Sequence, residues 1–462
     1  MNKFLTILAV SSLMLTVDAH AAKKGDIAKY RRSSLTMILM EDAEMNPEIA
    51  PIVRSTFESA VAPIKFNDHN IDGFRTFVPS AITDADYAAY DAVNPPQKQT
   101  FGKALGLGLL GAATSNGNGN SDQNAAKFIE EQKKIKRDLG TQAYKYLTEN
   151  NIAHRIMDKW FAEQTIETDE AGNTHVKYIL PTAETGLSMT TIQERAISDA
   201  TPLDKIKVQA AADKLGLLTS AGMELIGNSF VVVSRYRYMT ANEYAEEMAR
   251  IADANTGGLG LTDLTKSVTA LGDSFKGENS KNSYVVAVRT YLFQLVWDES
   301  LQKSVSDNFD NYAAYADMPF SLKLIGYETA SASCGSKKER TQEEIIAMAT
   351  MRAFDKVIAK LERKYEVFRT KTPIMEVEPE VTIGIGTREG VDKKDKFEVL
   401  EQVADEKTGA VVYKRCGVMQ VEPTKIWDND EDSDKYQEEG ATVLKGKLKN
   451  IYPGMLVRQA NK

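Results

Sequence analysis

A run of acidic residues near the C-terminus has the spacing of a calcium-binding loop. The carboxylates alternate along the chain, and a glutamate follows at the twelfth position of the run: Asp428, Asp430, Asp432, Asp434 and Glu439. Alternating carboxylates supply the oxygen ligands that calcium prefers. Ser433 replaces the glycine that the sharp turn of such a loop needs, and no flanking helices are predicted. The pattern favours an acidic, solvated hairpin loop, with weak calcium binding as the alternative.

Three histidines follow the N-terminal leader, and any serine–histidine or cysteine–histidine catalytic set has to use one of them: His69, His154 and His175. His69 stands in a polar segment with Asp68 and Asp72, so these three side chains could also bind a metal. Such donors share a loop by chance in many proteins, and His154 lies in a helical pattern typical of a packed or surface residue. The sequence lacks a Gly-x-Ser-x-Gly motif. No catalytic residue is therefore predicted.

The glycines Gly106, Gly108 and Gly111 match the spacing of a dinucleotide-binding fingerprint, but their context does not. That fingerprint needs a strand before the glycines and a helix that starts directly after them. No clear strand precedes them, and residues 114–123 are nearly all Ser, Asn, Gly and Asp. Residues 102–124 are predicted to form a flexible segment, and no cofactor is predicted.

Composition and charge indicate an ordinary globular protein. The chain has 462 residues, of which 42% are hydrophobic and 26% charged, and its net charge is −8. Nucleic-acid binding needs a concentrated basic face. The lysine-rich run 133–137 has Glu130 and Glu131 beside it, which indicates a solvated helix face. The composition therefore argues against nucleic acid as a partner.

Residues 1–21 have the pattern of a secretory signal peptide. Lys3 precedes a short apolar run, and Ala19-His20-Ala21 forms a small-x-small cleavage site. The run is shorter than the ~20 residues that span a bilayer, and no cysteine at the cleavage site could carry a lipid. We expect an exported protein without a transmembrane segment. Export permits a disulfide, and the sequence leaves open whether Cys334 and Cys416 pair.

Hydrophobic periodicity predicts an α+β domain over residues 125–372 after an N-terminal region 22–124. Helices are predicted from Asn46 to Pro63, from Ala125 to Gln164 with a break at Asn150-Asn151, at 203–221, at 241–253 and from Thr341 to Phe368. The last helix opens with a capping box, in which Thr341 and Glu344 bond each other's backbone amides. Strands are predicted at 176–180, 230–238, 284–297 and 320–327, where β-branched and aromatic residues are frequent.

Residues 373–462 are predicted to form a small SH3-like β-barrel. Phe397 and Val399 alternate with charged residues, and a glycine-ended turn follows at 405–409. Further short apolar runs follow at 411–413, 418–421, 441–444 and 455–457. Several short strands in one small module fit a closed barrel.

Several phrases of the sequence resemble an uncharacterised family of exported proteins from the Bacteroides group: residues 31–35, 65–69, 146–154, 224–233, 426–429 and 452–456. The segments 386–399 and 453–457 look like the SH3-like C-terminal domain of flagellar assembly protein T. The middle region is similar to the domain that this protein shares with the curli secretion channel G protein. These resemblances imply a periplasmic scaffold- or ring-forming architecture and bring no catalytic residue. Curli channel subunits carry a lipidated cysteine that this chain lacks.

We therefore expect a periplasmic or outer-membrane-associated structural or assembly protein without catalytic activity. Its expected partners are envelope proteins, with a homo-oligomer also compatible with the sequence. Two alternatives stay open. One is a hydrolase of envelope glycans or peptides, whose paired carboxylates need not be close in sequence. The other is a subunit of a secretion-channel-like ring, although the run 284–297 is apolar on both faces and fits a buried sheet strand better.

Overall fold

The computed structural model describes residues 33–94, 120–168, 172, 174–198, 225–240, 284–334, 340–404, 411–430, 433 and 435–460. Several predictions lie outside these ranges: the signal peptide, the glycine motif at 106–111, the helices at 203–221 and 241–253, and the turn at 405–409. The described part of the chain is a mixed α+β structure, as the sequence predicts.

The elements before residue 365 are, in chain order, β1 (Ser33–Met40), α1 (Ala50–Ser59), β2 (Phe66–Asp68), β3 (Thr76–Phe77), α2 (Asp84–Val93), α3 (Asn120–Glu149), α4 (Ile152–Trp160), β4 (Glu163–Thr168), β5 (Thr174–Ile179), α5 (Thr190–Ser198), β6 (Ser229–Thr240), β7 (Tyr284–Leu295), α6 (Glu299–Asp307), α7 (Tyr312–Ala316), β8 (Leu322–Cys334) and α8 (Gln342–Lys364). A short 3-10 turn, Glu366–Phe368, precedes β9 (Lys371–Glu376), β10 (Val381–Ile383), β11 (Lys396–Ala404), β12 (Val411–Val421), β13 (Thr442–Lys445) and β14 (Leu456–Gln459).

The larger sheet has the strand order β2-β1-β6-β7-β8, with β3 also paired to β1. Strand β1 runs parallel to β2, β3 and β6, whereas β6, β7 and β8 are antiparallel to one another. Helices α1 and α8 cover one face, where Phe57 meets Phe354 edge to face at 5.8 Å. Helices α3 and α4 cover the other face, where Trp160 and Phe161 are buried. Because both faces are covered, the central strands are apolar on both sides.

Helix α8 confirms the predicted capping box. The Thr341 hydroxyl accepts from the Glu344 amide at 3.2 Å, and the Glu344 carboxylate accepts from the Thr341 amide at 2.7 Å. The buried face of α8 includes Ile345, Ala349, Phe354, Val357, Ile358 and Leu361. The helix ends at Lys364, so the last predicted residue, Phe368, is buried from the 3-10 turn instead.

Other element boundaries differ from the prediction for local reasons. Helix α1 starts at Ala50 rather than Asn46, whose side chain accepts from the Glu48 amide at 2.8 Å and so caps a turn. The predicted break after Glu149 is confirmed, since Asn151 takes a left-handed φ of 51° between α3 and α4. Residues 163–168 form β4, which pairs with β5, instead of continuing the helix.

Six C-terminal strands close on themselves in the order β10-β13-β12-β11-β14-β9, and we call this unit the C-terminal ring. Its strand pairs are antiparallel. The predicted runs 411–413 and 418–421 belong to one strand, β12, which pairs with β11 across a register shift at Val399/Leu400. The interior contains the alternating apolar residues Phe397, Val399, Met419, Val421 and Val457.

Candidate functional site

His69 lies directly after β2 and is only 1% exposed, although the sequence predicts a polar loop there. Its Nδ1 lies 2.8 Å from Nη1 of Arg195, and its Nε2 lies 3.0 Å from the carbonyl oxygen of Ile156. A guanidinium can only donate, so Nδ1 accepts and the ring proton resides on Nε2. Burial, and then the charge of Arg195, lowers the pKa of His69 well below its usual value. His69 is therefore a neutral imidazole with both nitrogens occupied.

Arg195 joins this histidine to the sheet. Besides His69, its guanidinium donates to the Ser34 hydroxyl at 3.0 Å and the Asp68 carbonyl at 3.2 Å, and it lies 4.5 Å above the Trp160 ring. The Trp160 indole in turn donates to the Ser229 hydroxyl at 2.8 Å. Ser34 and Ser229 are register partners on β1 and β6. We call these residues and His69 the His69 cluster, and it connects the sheet to α4 and α5.

The carboxylate of Asp68 is not among the hydrogen-bond partners of the His69 ring described above. It accepts from the Asn70 amide at 2.8 Å and from the Ala62 amide at 3.2 Å. The carbonyl of Asn70 accepts from Lys159 at 2.6 Å, and burial lowers the pKa of Lys159 to about 8. Within the described ranges, no group of three or more His, Cys, Asp or Glu side chains could hold a metal ion.

A second histidine, His154, lies in a smaller titratable group. Its Nε2 is 3.6 Å from Asp158, whose carboxylate also accepts from the Tyr315 hydroxyl at 2.9 Å. Burial raises the pKa of Asp158. These contacts join α7 to α4, and the His154 side chain is half-buried between the packed and surface positions that the sequence left open. His175 lies on the exposed hairpin β4–β5, 3.9 Å from Glu167.

The acidic loop of the C-terminal ring is partly used by the protein itself. One Asp428 oxygen accepts from the Thr387 hydroxyl at 3.0 Å, and the other accepts from the Ser433 hydroxyl. Asp430 lies 3.2 Å from Arg352 on α8. Glu439 is exposed, and Asp432 and Asp434 lie outside the described residues. Weak calcium binding stays the alternative to a solvated hairpin at this loop.

The contact between α8 and the C-terminal ring is built from arginine–carboxylate pairs, which the sequence did not indicate. Arg388 of the ring lies 2.8 Å from Asp355 of α8, in addition to the Arg352–Asp430 pair. Arg363 of α8 lies 3.2 Å from Asp395 of the ring. These pairs cross the contact in both directions, so they fix the orientation of the ring on the helix.

Two local features of this contact are a close backbone approach and a buried carboxylate. Gly390 has a φ of 77°, and a Cβ there would lie 2.7 Å from that of Ala359, so the turn requires glycine. Burial, together with the charges of Glu389 and Asp430, raises the pKa of Asp355 to about 6, even though Arg388 opposes the shift. The buried position of Asp355 therefore disfavours its ionised form.

The ring also contains a cavity of about 520 Å³ beside β10 and β13. Val381, Met419 and Leu444 are among its buried apolar lining residues. Two carboxylates in its wall are paired with lysines, Glu380 with Lys425 at 2.6 Å and Glu422 with Lys445 at 3.3 Å. Its size is in the range of small-ligand pockets, but its accessible lining is more polar than apolar.

Comparison with known proteins shows no protein-family model and no curated protein that matches the chain. Across the described ranges, none of the helices combines the length and apolar character that crossing a membrane requires. Cys416 is an exposed free thiol on β12.

Proposed function

We propose that this chain is an exported structural or assembly protein of the cell envelope, periplasmic or associated with the outer membrane. In this proposal the C-terminal ring is an SH3-like barrel, and the protein acts by presenting fixed surfaces to other envelope proteins. The closed order of short antiparallel strands and the sequence pattern of residues 386–399 support the SH3-like assignment.

The fixed orientation of the ring on α8 is the observation that carries the proposal. A module on a flexible tether needs no specific contact with its neighbour, whereas here three arginine–carboxylate pairs span the contact. Asp395 and Asp355 are 1% and 14% exposed at the side chain, so removing either arginine partner would leave a buried carboxylate without its counter-charge. Such a contact suits a protein that holds two surfaces at a constant distance.

The His69 cluster supports a structural role over the hydrolase alternative. A general base needs a ring nitrogen that a substrate can reach. In His69 one nitrogen accepts from Arg195 and the other donates to Ile156, and the residue is 1% exposed. The cluster therefore links β1 and β6 to helices α4 and α5 through buried hydrogen bonds.

In-cell crosslinking followed by affinity capture from envelope membranes and quantitative mass spectrometry tests the proposal. We expect the same envelope proteins, or further copies of the chain, to be captured in constant ratio. Arg388→Glu should reduce this capture to background, because it places a second carboxylate beside Asp355 and releases the ring from α8.

Arg415→Glu is the matched control. Arg415 is also an arginine of the ring, but it pairs with Glu398 inside the ring at 3.2 Å and is 58% exposed. Capture should therefore survive this change. A wild-type chain that stays monomeric and without partners would contradict the proposal and favour the hydrolase alternative.

A further inference from the structure

The hairpin β4–β5 is a small sheet of its own. Its two strands pair over six positions, from Glu163 opposite Ile179 to Thr168 opposite Thr174. Among the strands that the structure describes, none pairs with its outer edges. A two-stranded ribbon is marginally stable by itself, and an exposed strand edge is a template for a further strand.

The hairpin exposes apolar side chains that its own fold does not cover. Ile166 on β4 is 74% exposed, and its cross-strand partner Val176 on β5 is 49% exposed. Because cross-strand partners point to the same face, they form a short apolar stripe across the ribbon. This stripe would become continuous if another copy of the hairpin extended the sheet.

The two strands of the hairpin also have opposite charge. Strand β4 carries Glu163 and Glu167, whereas β5 carries His175 and Lys177. Within the hairpin, Glu167 already lies 2.7 Å from Lys177 and 3.9 Å from His175, so the register places acid opposite base. The edge of β4 is therefore acidic, and the edge of β5 is basic. Opposite charges on paired strands stabilise their pairing.

We propose that copies of this chain associate through these hairpins, with β4 of one copy pairing antiparallel to β5 of the next. The arrangement repeats the acid–base register of the hairpin and aligns the stripes of Ile166 and Val176. It joins different edges of the two copies, so it is a head-to-tail contact that builds a closed ring or an open filament. This inference deepens the proposed structural role and rests on it.

A charge swap tests the pairing on the purified mature chain, with the mass in solution measured by light scattering. Wild type should run as a multiple of the monomer mass. Glu167→Lys should run as a monomer. The new lysine would lie beside Lys177 within the hairpin and beside Lys177 of the neighbouring copy across the contact, so like charges would repel in both places. The double variant Glu167→Lys with Lys177→Glu restores both pairs and should associate again.

Mixing the double variant with wild type distinguishes charge-specific edge pairing from non-specific association. The double variant should not co-associate with differently tagged wild type, because every mixed contact then places like charges opposite each other. Free mixing of the two would overturn the proposed edge pairing, as would a monomeric wild type. Circular dichroism verifies that each variant is folded.

The apolar stripe has its own matched test. Ile166→Asp should reduce association at least tenfold, whereas Val78→Asp, at a residue that is 65% exposed outside the hairpin, should leave it unchanged. Equal effects of the two changes would contradict a role for the stripe. Monomeric chain that still captures envelope proteins would overturn the pairing and leave the proposed function intact. Self-association without envelope partners would support the pairing and restrict the proposed assembly to copies of this chain.

Discussion

Acidification is predicted to stabilise the folded protein through Asp355, a buried carboxyl at the contact between α8 and the C-terminal ring. Burial is the main cause that raises the pKa of this carboxyl from 3.8 to about 6. An acid with a raised pKa binds its proton more tightly in the folded protein than in the unfolded chain. Its contribution to the free energy of unfolding therefore increases as the pH falls through 6, and it is complete below 3.8.

The size of this effect follows from the two pKa values of Asp355. A difference of about 2 pKa units at 1.36 kcal/mol per unit gives roughly 3 kcal/mol for the full shift. At pH 5 the carboxyl is still ionised in the unfolded chain, so the shift is not fully expressed, and about 1.4 kcal/mol of it has developed there relative to neutral pH. Asp355→Asn removes the titration while keeping the shape of the side chain.

Urea unfolding of wild type and Asp355→Asn at pH 8, 6 and 5 measures the difference directly. The free energy of unfolding of wild type, minus that of the variant, should increase by about 1.4 kcal/mol between pH 8 and pH 5. Intrinsic fluorescence follows the transition through Trp427 in the ring and the buried Trp160 on α4. A difference that is independent of pH, or one that decreases on acidification, would refute this reasoning.

Three further outcomes are expected. His69→Ala should destabilise the fold by about 2–4 kcal/mol in thermal melts, because it removes a buried acceptor of Arg195; a catalytic histidine would instead change activity and leave stability intact. Phe354→Ala should lower the free energy of unfolding by about 3–5 kcal/mol, since the phenyl group is fully buried between α8 and α1. Val367→Ala, at an exposed site, should change it by no more than about 0.5 kcal/mol. Millimolar calcium should leave the unfolding temperature unchanged, because Arg352 already holds Asp430; a rise that Asp428→Asn abolishes would instead establish the calcium site.

The parts of the fold that the sequence predicts well carry strong local signals. Helix α8 has a capping box and a long apolar stripe, and β6 and β7 are long runs of β-branched and aromatic residues. The break at Asn151 likewise depends on a residue that tolerates a left-handed backbone. Each of these signals is contained within one element, so no distant partner is needed to recognise it.

Strand β2 and the His69 cluster could not be predicted in this way. Phe66–Asp68 is a strand because β1 pairs with it, and the polar composition of the segment indicates a loop. His69 is buried by Arg195, which is 126 positions further along the chain. Helix–ring pairs such as Arg388–Asp355 join charged residues that, taken singly, are typical of a solvent-exposed surface.

The central claim is that the protein acts by assembly. Native electrophoresis of envelope extracts after in-cell crosslinking, with detection of this chain, measures the assembled species directly. The account predicts that most of the chain runs in one defined complex of several times the monomer mass. A chain found only as a soluble monomer, with envelope hydrolysis that disappears in His69→Ala while the fold is retained, would contradict it.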